Sequence, residues 1–185
     1  MLQAIINGQV FDGESLRAGQ AVLIEGGRIV AVVDQDQMPT GIDAVYDLEG
    51  GTLTPGFIDL QVNGGGGVLF TSEPTVASLR TIASAHRQTG TTGFLPTLIT
   101  SDFDVMRQAI CAVRQAMTEG VPGVLGIHLE GPFLNPQRRG VHNAGKFCAL
   151  EEAGFDVVTA FDEGVTLVTL APELTSTSMI RRLVQ

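Results

Sequence analysis

The side chains best suited to chemistry stand where apolar stretches of the sequence end. Gln61 and Asn63 close the stretch GFIDLQVN, and Glu130 closes VLGIHLE. Residues two apart on a strand point to the same side, so Gln61 and Asn63 should face one region together. Carboxamides orient ligands and ligate hard ions weakly, whereas a carboxylate binds a divalent metal or acts as a general base. Glu130 is therefore the strongest candidate for a metal ligand or a base.

The residues around Glu130 leave structural alternatives open. Its carboxylate could instead cap a neighbouring loop amide or pair with Arg138 or Arg139. His128 lies two residues earlier and could converge with Glu130 on one ion. A histidine inside such an apolar strand is more often a core residue whose nitrogens are hydrogen-bonded, and we favour that interpretation for His128.

The loop after Glu130, GPFLNPQRRGVHNAGKF, contains no acidic residue. Its basic side chains are Arg138, Arg139, His142 and Lys146. In an acidic chain this local positive charge predicts an anionic substrate, such as a phosphate or a carboxylate. The alternative is a solvated loop whose charges balance Glu151 and Glu152.

The glycines at 64–67 are weaker evidence for a ligand. They lack the Lys-Ser/Thr that completes a phosphate-binding P-loop, so they indicate only a close approach of the backbone to a ligand or to a neighbouring loop. His86 lies within a helical pattern, and we predict that it is a surface residue.

Two kinds of element must position these residues. Residues 1–52 contain short strands with glycine turns and no helical period, which predicts a small β-rich domain, the N-terminal part of a β-sandwich. Asn7-Gly8 and Gly26-Gly27 are both typical of hairpin turns within this domain.

Residues 53–185 alternate strands with helices four times, and the strands are nearly all apolar. This pattern predicts an α/β fold with parallel strands whose carboxyl ends share one face, where active sites lie. Four βα units are half of a (β/α)8 (TIM) barrel, which takes about 250 residues. A small open sheet is the alternative, but the sequence ends at Gln185 inside a helical pattern. That ending favours a truncated barrel, its first four βα units preceded by the β-rich domain.

Composition excludes several classes of function. The chain has 11 Lys and Arg against 20 Asp and Glu, a net charge of −9, which argues against a nucleic-acid surface. The two cysteines, Cys111 and Cys148, show no metal-binding spacing and are predicted to be free thiols in a reducing compartment. The N-terminus lacks the pattern of a secretion signal, and no apolar stretch reaches membrane-spanning length. We therefore predict a cytoplasmic protein without a membrane partner.

The motifs resemble one known family. LTPGFIDLQVNGGGGVLF, TGFLPTLIT, GIHLEGPFLN, RRGVHN and VTLAPE occur in an order and spacing similar to the N-acetylglucosamine-6-phosphate deacetylases of the amidohydrolase superfamily. The similarity covers essentially the whole chain. HLEGPFLN followed by GVHN is quite specific, whereas PGFID is a marker of the superfamily only.

The resemblance implies a fold and an activity. It implies a β-sandwich built from both chain ends, a (β/α)8 barrel, and release of acetate from a sugar-phosphate substrate, by a full-length protein that is a homodimer. It implies one divalent metal ion, zinc or iron, held by Glu130 and by two histidines beyond Gln185. A later aspartate would be the general base, so no catalytic residue is expected within this chain. Val141 and His142 match residues that contact the sugar phosphate, and Gln61 and Asn63 are expected to face water or substrate.

Two other readings of the sequence remain. Another metal-dependent amidohydrolase would usually carry His-x-His where this chain has Gln61-Val62-Asn63, which counts against it. A non-catalytic α/β module that binds a sugar phosphate would retain the basic loop without the metal. Binding of glucosamine 6-phosphate that does not depend on zinc would favour the module.

Overall fold

The computed structural model describes residues 1–184, which form two compact units. The first comprises Met1–Pro55 and the second begins at Gly56. None of the helices within the described residues is long and apolar enough to cross a membrane.

The first unit consists of short strands in two sheets. Within Met1–Pro55 the strands are β1 (Leu2–Ile6), β2 (Gln9–Phe11), β3 (Leu16–Ala18), β4 (Gln20–Glu25), β5 (Arg28–Asp34), β6 (Ala44–Asp47) and β7 (Thr52–Leu53). One sheet has the order β5-β4-β1-β6 and the other has the order β3-β2-β7. Seven strands lie within these residues, and no α-helix is present among them.

One of the two predicted hairpins is wrong. β4 and β5 are antiparallel and pair Glu25 with Arg28 across Gly26-Gly27, as predicted. β1 and β2, by contrast, lie in different sheets, so Asn7-Gly8 connects the sheets and closes no hairpin. Gly8 is required there for a different reason, because a Cβ on it would lie 2.5 Å from the carbonyl oxygen of Gly51.

The second unit is an α/β structure with a parallel sheet, as predicted. Its strands within residues 56–184 are β8 (Phe57–Val62), β9 (Gly64–Gly65), β10 (Val68–Leu69), β11 (Thr91–Ile99), β12 (Gly126–Glu130) and β13 (Val165–Thr169). Its helices there are α1 (Val76–Arg87), α2 (Phe103–Thr118), α3 (Glu152–Val158) and α4 (Thr177–Leu183). The main sheet has the order β13-β12-β11-β8, with all neighbours parallel.

The centre of this sheet is buried and its edges are not. In β11 the side chains from Phe94 to Leu98 are buried on both faces, and α2 packs its apolar stripe into the same core. At the edges, Ile58 of β8 is 64 % exposed and Val165 of β13 is 54 % exposed. Apolar edge strands of this kind normally pair with further strands, which agrees with a partial barrel-type sheet.

Candidate active site

The candidate site forms where β8, β11 and β12 end. Parallel pairing sets Ile99, the last residue of β11, beside Glu130, the last residue of β12. Gln61, near the end of β8, donates a hydrogen bond from Nε2 to Glu130 Oε2 at 3.1 Å. The Glu130 side chain is 19 % exposed, so its carboxylate is held in a partly dry position and remains open to a ligand.

His142 reaches this carboxylate from the basic loop. Its Nε2 lies 3.7 Å from Glu130 Oε1, and its side chain is 11 % exposed. Its Nδ1 lies 2.8 Å from the hydroxyl oxygen of Thr100, which directly follows β11. The four side chains Gln61, Thr100, Glu130 and His142 form what we call the mouth cluster.

The structural alternatives for Glu130 and for the loop are not what the structure contains. Among residues 1–184, Glu130 forms no ion pair with Arg138 or Arg139. Lys146 pairs with Asp102, at 2.7 Å, rather than with the glutamates that follow the loop. The loop is also fixed by Asn135, whose amide donates to Glu173 at 2.7 Å and lowers the pKa of that carboxyl group.

His128 is a core residue, as we favoured. It is 3 % exposed, and its two ring nitrogens lie 3.2 Å from Thr97 Oγ1 and 2.8 Å from Thr169 Oγ1. Burial lowers the pKa of His128, and the nearby negative charge of Glu130 opposes that change. Both nitrogens already have partners, so His128 does not share an ion with Glu130.

The prediction that His86 is a surface residue is wrong. His86 is partly buried, and its Nε2 donates to the carbonyl oxygen of Gly64 at 2.9 Å. The glycine segment forms a small hairpin of β9 and β10 against α1, and a Cβ on Gly65 would lie 2.9 Å from the His86 ring. A signal was present in the sequence, since His86 continues the helical stripe of Leu79, Ile82 and Ala83, all buried.

The remaining predicted residues lie outside the hydrogen-bonded cluster. Asn63 Oδ1 is buried and accepts no hydrogen bond from residues 1–184. Buried acceptors normally have a donor, and the described residues provide none for this oxygen. Val141 is 92 % exposed. Thr100 belongs to the cluster, but no role was predicted for it, because a threonine at a strand end has no distinctive sequence signal.

No complete metal site lies within the described residues. Residues 1–184 contain no group of three or more histidine, cysteine, aspartate or glutamate side chains that could hold a metal ion. Glu130 alone fits the role of one ligand, since each carboxylate oxygen has lone pairs beyond those facing Gln61 and His142. Neutral Gln61 and Asn63 are poorer ligands for a borderline ion such as zinc.

Comparison with protein families gives two adjacent matches. Residues 2–53 match the model described as the NagA composite domain, and residues 52–185 match the amidohydrolase family. The matches meet at residues 52–53, beside the boundary between the two compact units.

Individual relatives agree with these matches. The chain is 48 % identical over 139 residues to the N-acetylgalactosamine-6-phosphate deacetylase of Shewanella sp. (strain ANA-3), covering 75 % of this chain and 35 % of the relative. It is 34 % identical over 173 residues to the N-acetylglucosamine-6-phosphate deacetylase of Haemophilus influenzae, covering 94 % and 45 %. The crystal structure of N-acetylglucosamine-6-phosphate deacetylase from Pasteurella multocida superposes with a TM-score of 0.94 at 32 % identity, covering 100 % and 48 %.

The resemblance seen in the motifs is confirmed by these relatives, and the chain spans between a third and a half of their length. The likeness extends through both units, and the amidohydrolase match covers every residue of the candidate site. The chain belongs to the amidohydrolase family.

Proposed function

We propose that this chain is the N-terminal part of a deacetylase that hydrolyses the acetamide of N-acetylglucosamine 6-phosphate, giving glucosamine 6-phosphate and acetate. The observation that carries the proposal is the mouth cluster, in which a partly buried carboxylate and an imidazole lie 3.7 Å apart at the carboxyl ends of parallel strands. The similar proteins support the same proposal, because they are named as deacetylases of 6-phosphorylated amino sugars.

Glu130 is proposed as one ligand of a single divalent metal ion, zinc or iron. Enzymes of the amidohydrolase superfamily are generally metal-dependent. Such an ion, when bound, activates a water molecule and polarises the amide carbonyl. Gln61 donates to Glu130 Oε2 and so fixes the orientation of the carboxylate, as supporting residues do at metal sites. The further ligands and the general base are proposed to come from the remainder of the barrel.

His142 and its neighbour Val141 are proposed to contact the substrate. The phosphate on C6 and the amide on C2 lie on opposite sides of the sugar ring. His142 Nε2 is 3.7 Å from Glu130, so this imidazole reaches the amide end if Glu130 binds the metal. The other basic residues of the loop, Arg138, Arg139 and Lys146, are then the candidates for the phosphate. Asn63, with its unmatched acceptor, is proposed to receive a hydrogen bond from water or from substrate.

The fold supports a specific place for the chain within a larger enzyme. We propose that residues 53–185 are the first four βα units of a (β/α)8 barrel and that residues 1–52 are the N-terminal part of a β-sandwich. The exposed apolar edges of β8 and β13 support this arrangement, because closure of a barrel pairs both edges. The 185-residue chain by itself is then expected to be inactive.

A chimaera tests the proposal. It joins residues 1–184 to the part of the Pasteurella multocida deacetylase that follows the matched segment, a graft that the TM-score of 0.94 justifies. We expect the chimaera to release acetate from N-acetylglucosamine 6-phosphate, and the chain alone to release none above background. A folded, metal-loaded chimaera without turnover would contradict the function, and turnover by the chain alone would contradict the division of the site.

His142→Ala in the chimaera distinguishes the two ends of the substrate. A hydrogen bond to a charged group contributes about 1.5–3 kcal/mol. If His142 binds the phosphate, the variant should lose roughly ten- to hundredfold in kcat/KM on the phosphorylated sugar and far less on N-acetylglucosamine. If it faces the amide, both sugars should lose equally, which is the result that the 3.7 Å distance favours.

A second substrate is favoured by one specific observation. The Shewanella relative, named for N-acetylgalactosamine 6-phosphate, is 48 % identical to this chain, against 34 % for the Haemophilus enzyme named for the glucosamine epimer. The epimers differ only at C4, so both would present the same amide to the mouth cluster. Parallel assays of the chimaera on the two epimers decide between them, with the ratio of kcat/KM values as the readout.

A further inference from the structure

Thr100 is a buried threonine at the candidate site with one hydroxyl proton and two possible acceptors. It is 7 % exposed. Its Oγ1 lies 2.8 Å from His142 Nδ1 and 3.5 Å from the backbone carbonyl oxygen of Glu130. A hydroxyl can donate only one hydrogen bond, so the choice between these partners decides which nitrogen of His142 carries the proton.

Distance favours donation to the imidazole. A hydroxyl donor is usually 2.7–2.8 Å from its acceptor, and about 3.5 Å is at the limit of a hydrogen bond. Donation to Nδ1 leaves the proton of neutral His142 on Nε2. Donation to the Glu130 carbonyl would instead require the proton on Nδ1.

Electrostatics favour the same choice. His142 Nε2 lies 3.7 Å from Glu130 Oε1. An Nε2–H points positive charge at that carboxylate, whereas a bare Nε2 would set a lone pair against it. When the ring is neutral, both the short distance to Thr100 and the negative charge of Glu130 therefore favour the tautomer with Nε2–H.

We propose that Thr100 is a positioning residue that fixes His142 as the Nε2–H tautomer and directs that N–H toward the Glu130 carboxylate. The N–H is then a hydrogen-bond donor for an oxygen of the substrate. This assignment deepens the proposed deacetylase function, on which its catalytic meaning rests, by naming the residue that prepares His142.

Neighbouring residues leave little space around the contact between Thr100 and His142. Gly131 packs directly against its hydroxyl, and any Cβ at position 131 would collide with Thr100 Oγ1. Gly131 also has a φ of 87°, which side chains rarely adopt. The Phe147 ring lies 6.4 Å from the His142 ring, centre to centre. The Thr100–His142 contact is thus enclosed by backbone and aromatic carbon.

The tautomer can be read directly in the 185-residue chain. Long-range proton–nitrogen NMR spectra distinguish Nδ1–H from Nε2–H imidazoles, and the sequence contains only three histidines to assign. Spectra are recorded about two pH units above the ordinary histidine pKa of ~6.5, so that the rings are neutral. Thr100→Val removes the hydroxyl at nearly constant shape, Thr100→Ser retains it, and the signals of His128 report whether the core is folded.

We expect the Nε2–H tautomer for His142 in the parent chain and in Thr100→Ser. In Thr100→Val we expect a larger share of the Nδ1–H tautomer, because only the Glu130 carboxylate then favours Nε2–H. An Nδ1–H tautomer in the parent chain would overturn the proposal, as would a Thr100→Val chain that keeps the His142 signals unchanged. If Thr100→Val does not fold, Thr100→Ala takes its place, because it also removes the hydroxyl, and an unchanged share of the two His142 tautomers in that variant would overturn the proposal. Because no substrate or metal is present, a failure here is separate from a failure of the chimaera to release acetate.

Discussion

Two histidines of the parallel sheet region are bound by threonine hydroxyls, and they differ in what occupies the second nitrogen. His128 is 3 % exposed and lies between Thr97 and Thr169, so strands β11, β12 and β13 are joined by one imidazole. In the mouth cluster, His142 has a threonine on Nδ1 only, and its Nε2 faces the Glu130 carboxylate at 3.7 Å.

The difference separates a structural imidazole from an available one. A ring whose two nitrogens both bind side chains has no capacity left for a ligand, and burial lowers the pKa of His128, which favours its neutral form. A ring held by one nitrogen is oriented, and its other nitrogen can still bind a ligand beside Glu130. Substitutions should therefore affect stability at His128 and reactivity in the mouth cluster.

The largest expected effect is that of Glu130→Gln on activity in the chimaera. The substitution keeps the shape and removes the only negative charge of the mouth cluster. Loss of a supporting residue at a metal site typically costs about 10–100-fold, and loss of a ligand should exceed that. We expect less than a hundredth of the parent kcat/KM together with reduced bound metal, measured by acetate release and elemental analysis. Unchanged metal content would contradict the role of Glu130 as ligand.

The next effect tests His128 against His142. His128→Leu leaves two buried hydroxyl groups without their partner, so we expect a loss of about 2–4 kcal/mol in the free energy of unfolding. His142→Leu is the matched control and removes one hydrogen bond at a more accessible place, with an expected loss of about 0.5–1.5 kcal/mol. Urea unfolding of the 185-residue chain measures both. Equal losses would mean that the two histidines do not divide their roles as we infer.

The sequence predicted most of this arrangement through patterns that depend on neighbours along the chain. Alternating apolar strands and amphipathic helices indicated the parallel sheet, and the shared carboxyl ends brought Gln61 and Glu130 together correctly. The core role of His128 followed from the apolar strand around it.

What the sequence did not predict depends on contacts between distant segments. The hairpin at Asn7-Gly8 failed because the pairing of β1 with β4 and β6 decides where β2 goes. Thr100 and His142 form a hydrogen bond although they are 42 residues apart in the sequence, and no local pattern around a threonine indicates such a contact. His86 was misassigned because its stripe on α1 was not followed to the glycine hairpin that it contacts.

A smaller effect is expected where Gln61 supports Glu130. Gln61→Ala removes the donor to Glu130 Oε2, and we expect kcat/KM of the chimaera to fall about tenfold, at the lower end of the range for supporting residues. Gln61→Glu is the sharper variant, because a second carboxylate beside Glu130 should disturb metal binding as well. Asn63→Ala, in a residue without a hydrogen bond to Glu130, is the comparison. An effect of Asn63→Ala larger than that of Gln61→Ala would reverse their proposed roles.

Gln61 and Asn63 also predict the number of metal ions. Because Gln61 and Asn63 are neutral carboxamides, we expect one activity-linked ion per chimaera subunit rather than two. Elemental analysis after removal of loosely bound metal gives the ratio. Two tightly bound ions whose loss both reduces activity would contradict the prediction that Gln61 and Asn63 hold no second ion.

The smallest expected effect concerns the ion pair at the end of the basic loop. Lys146 and Asp102 are 2.7 Å apart, with side chains 35 % and 66 % exposed, and such exposed pairs typically contribute about 0.2–1 kcal/mol. Lys146→Met should therefore lower the free energy of unfolding by no more than that, and the difference should shrink as salt is added. Arg107→Met, which breaks an exposed pair within α2, is the control, and it should behave alike. The His142 signals should not move in Lys146→Met, because the ring is hydrogen-bonded to Thr100 and lies beside Phe147, and neither contact involves Lys146. Doubled His142 signals in that variant would show that the surface pair, and not the buried threonine, positions the imidazole.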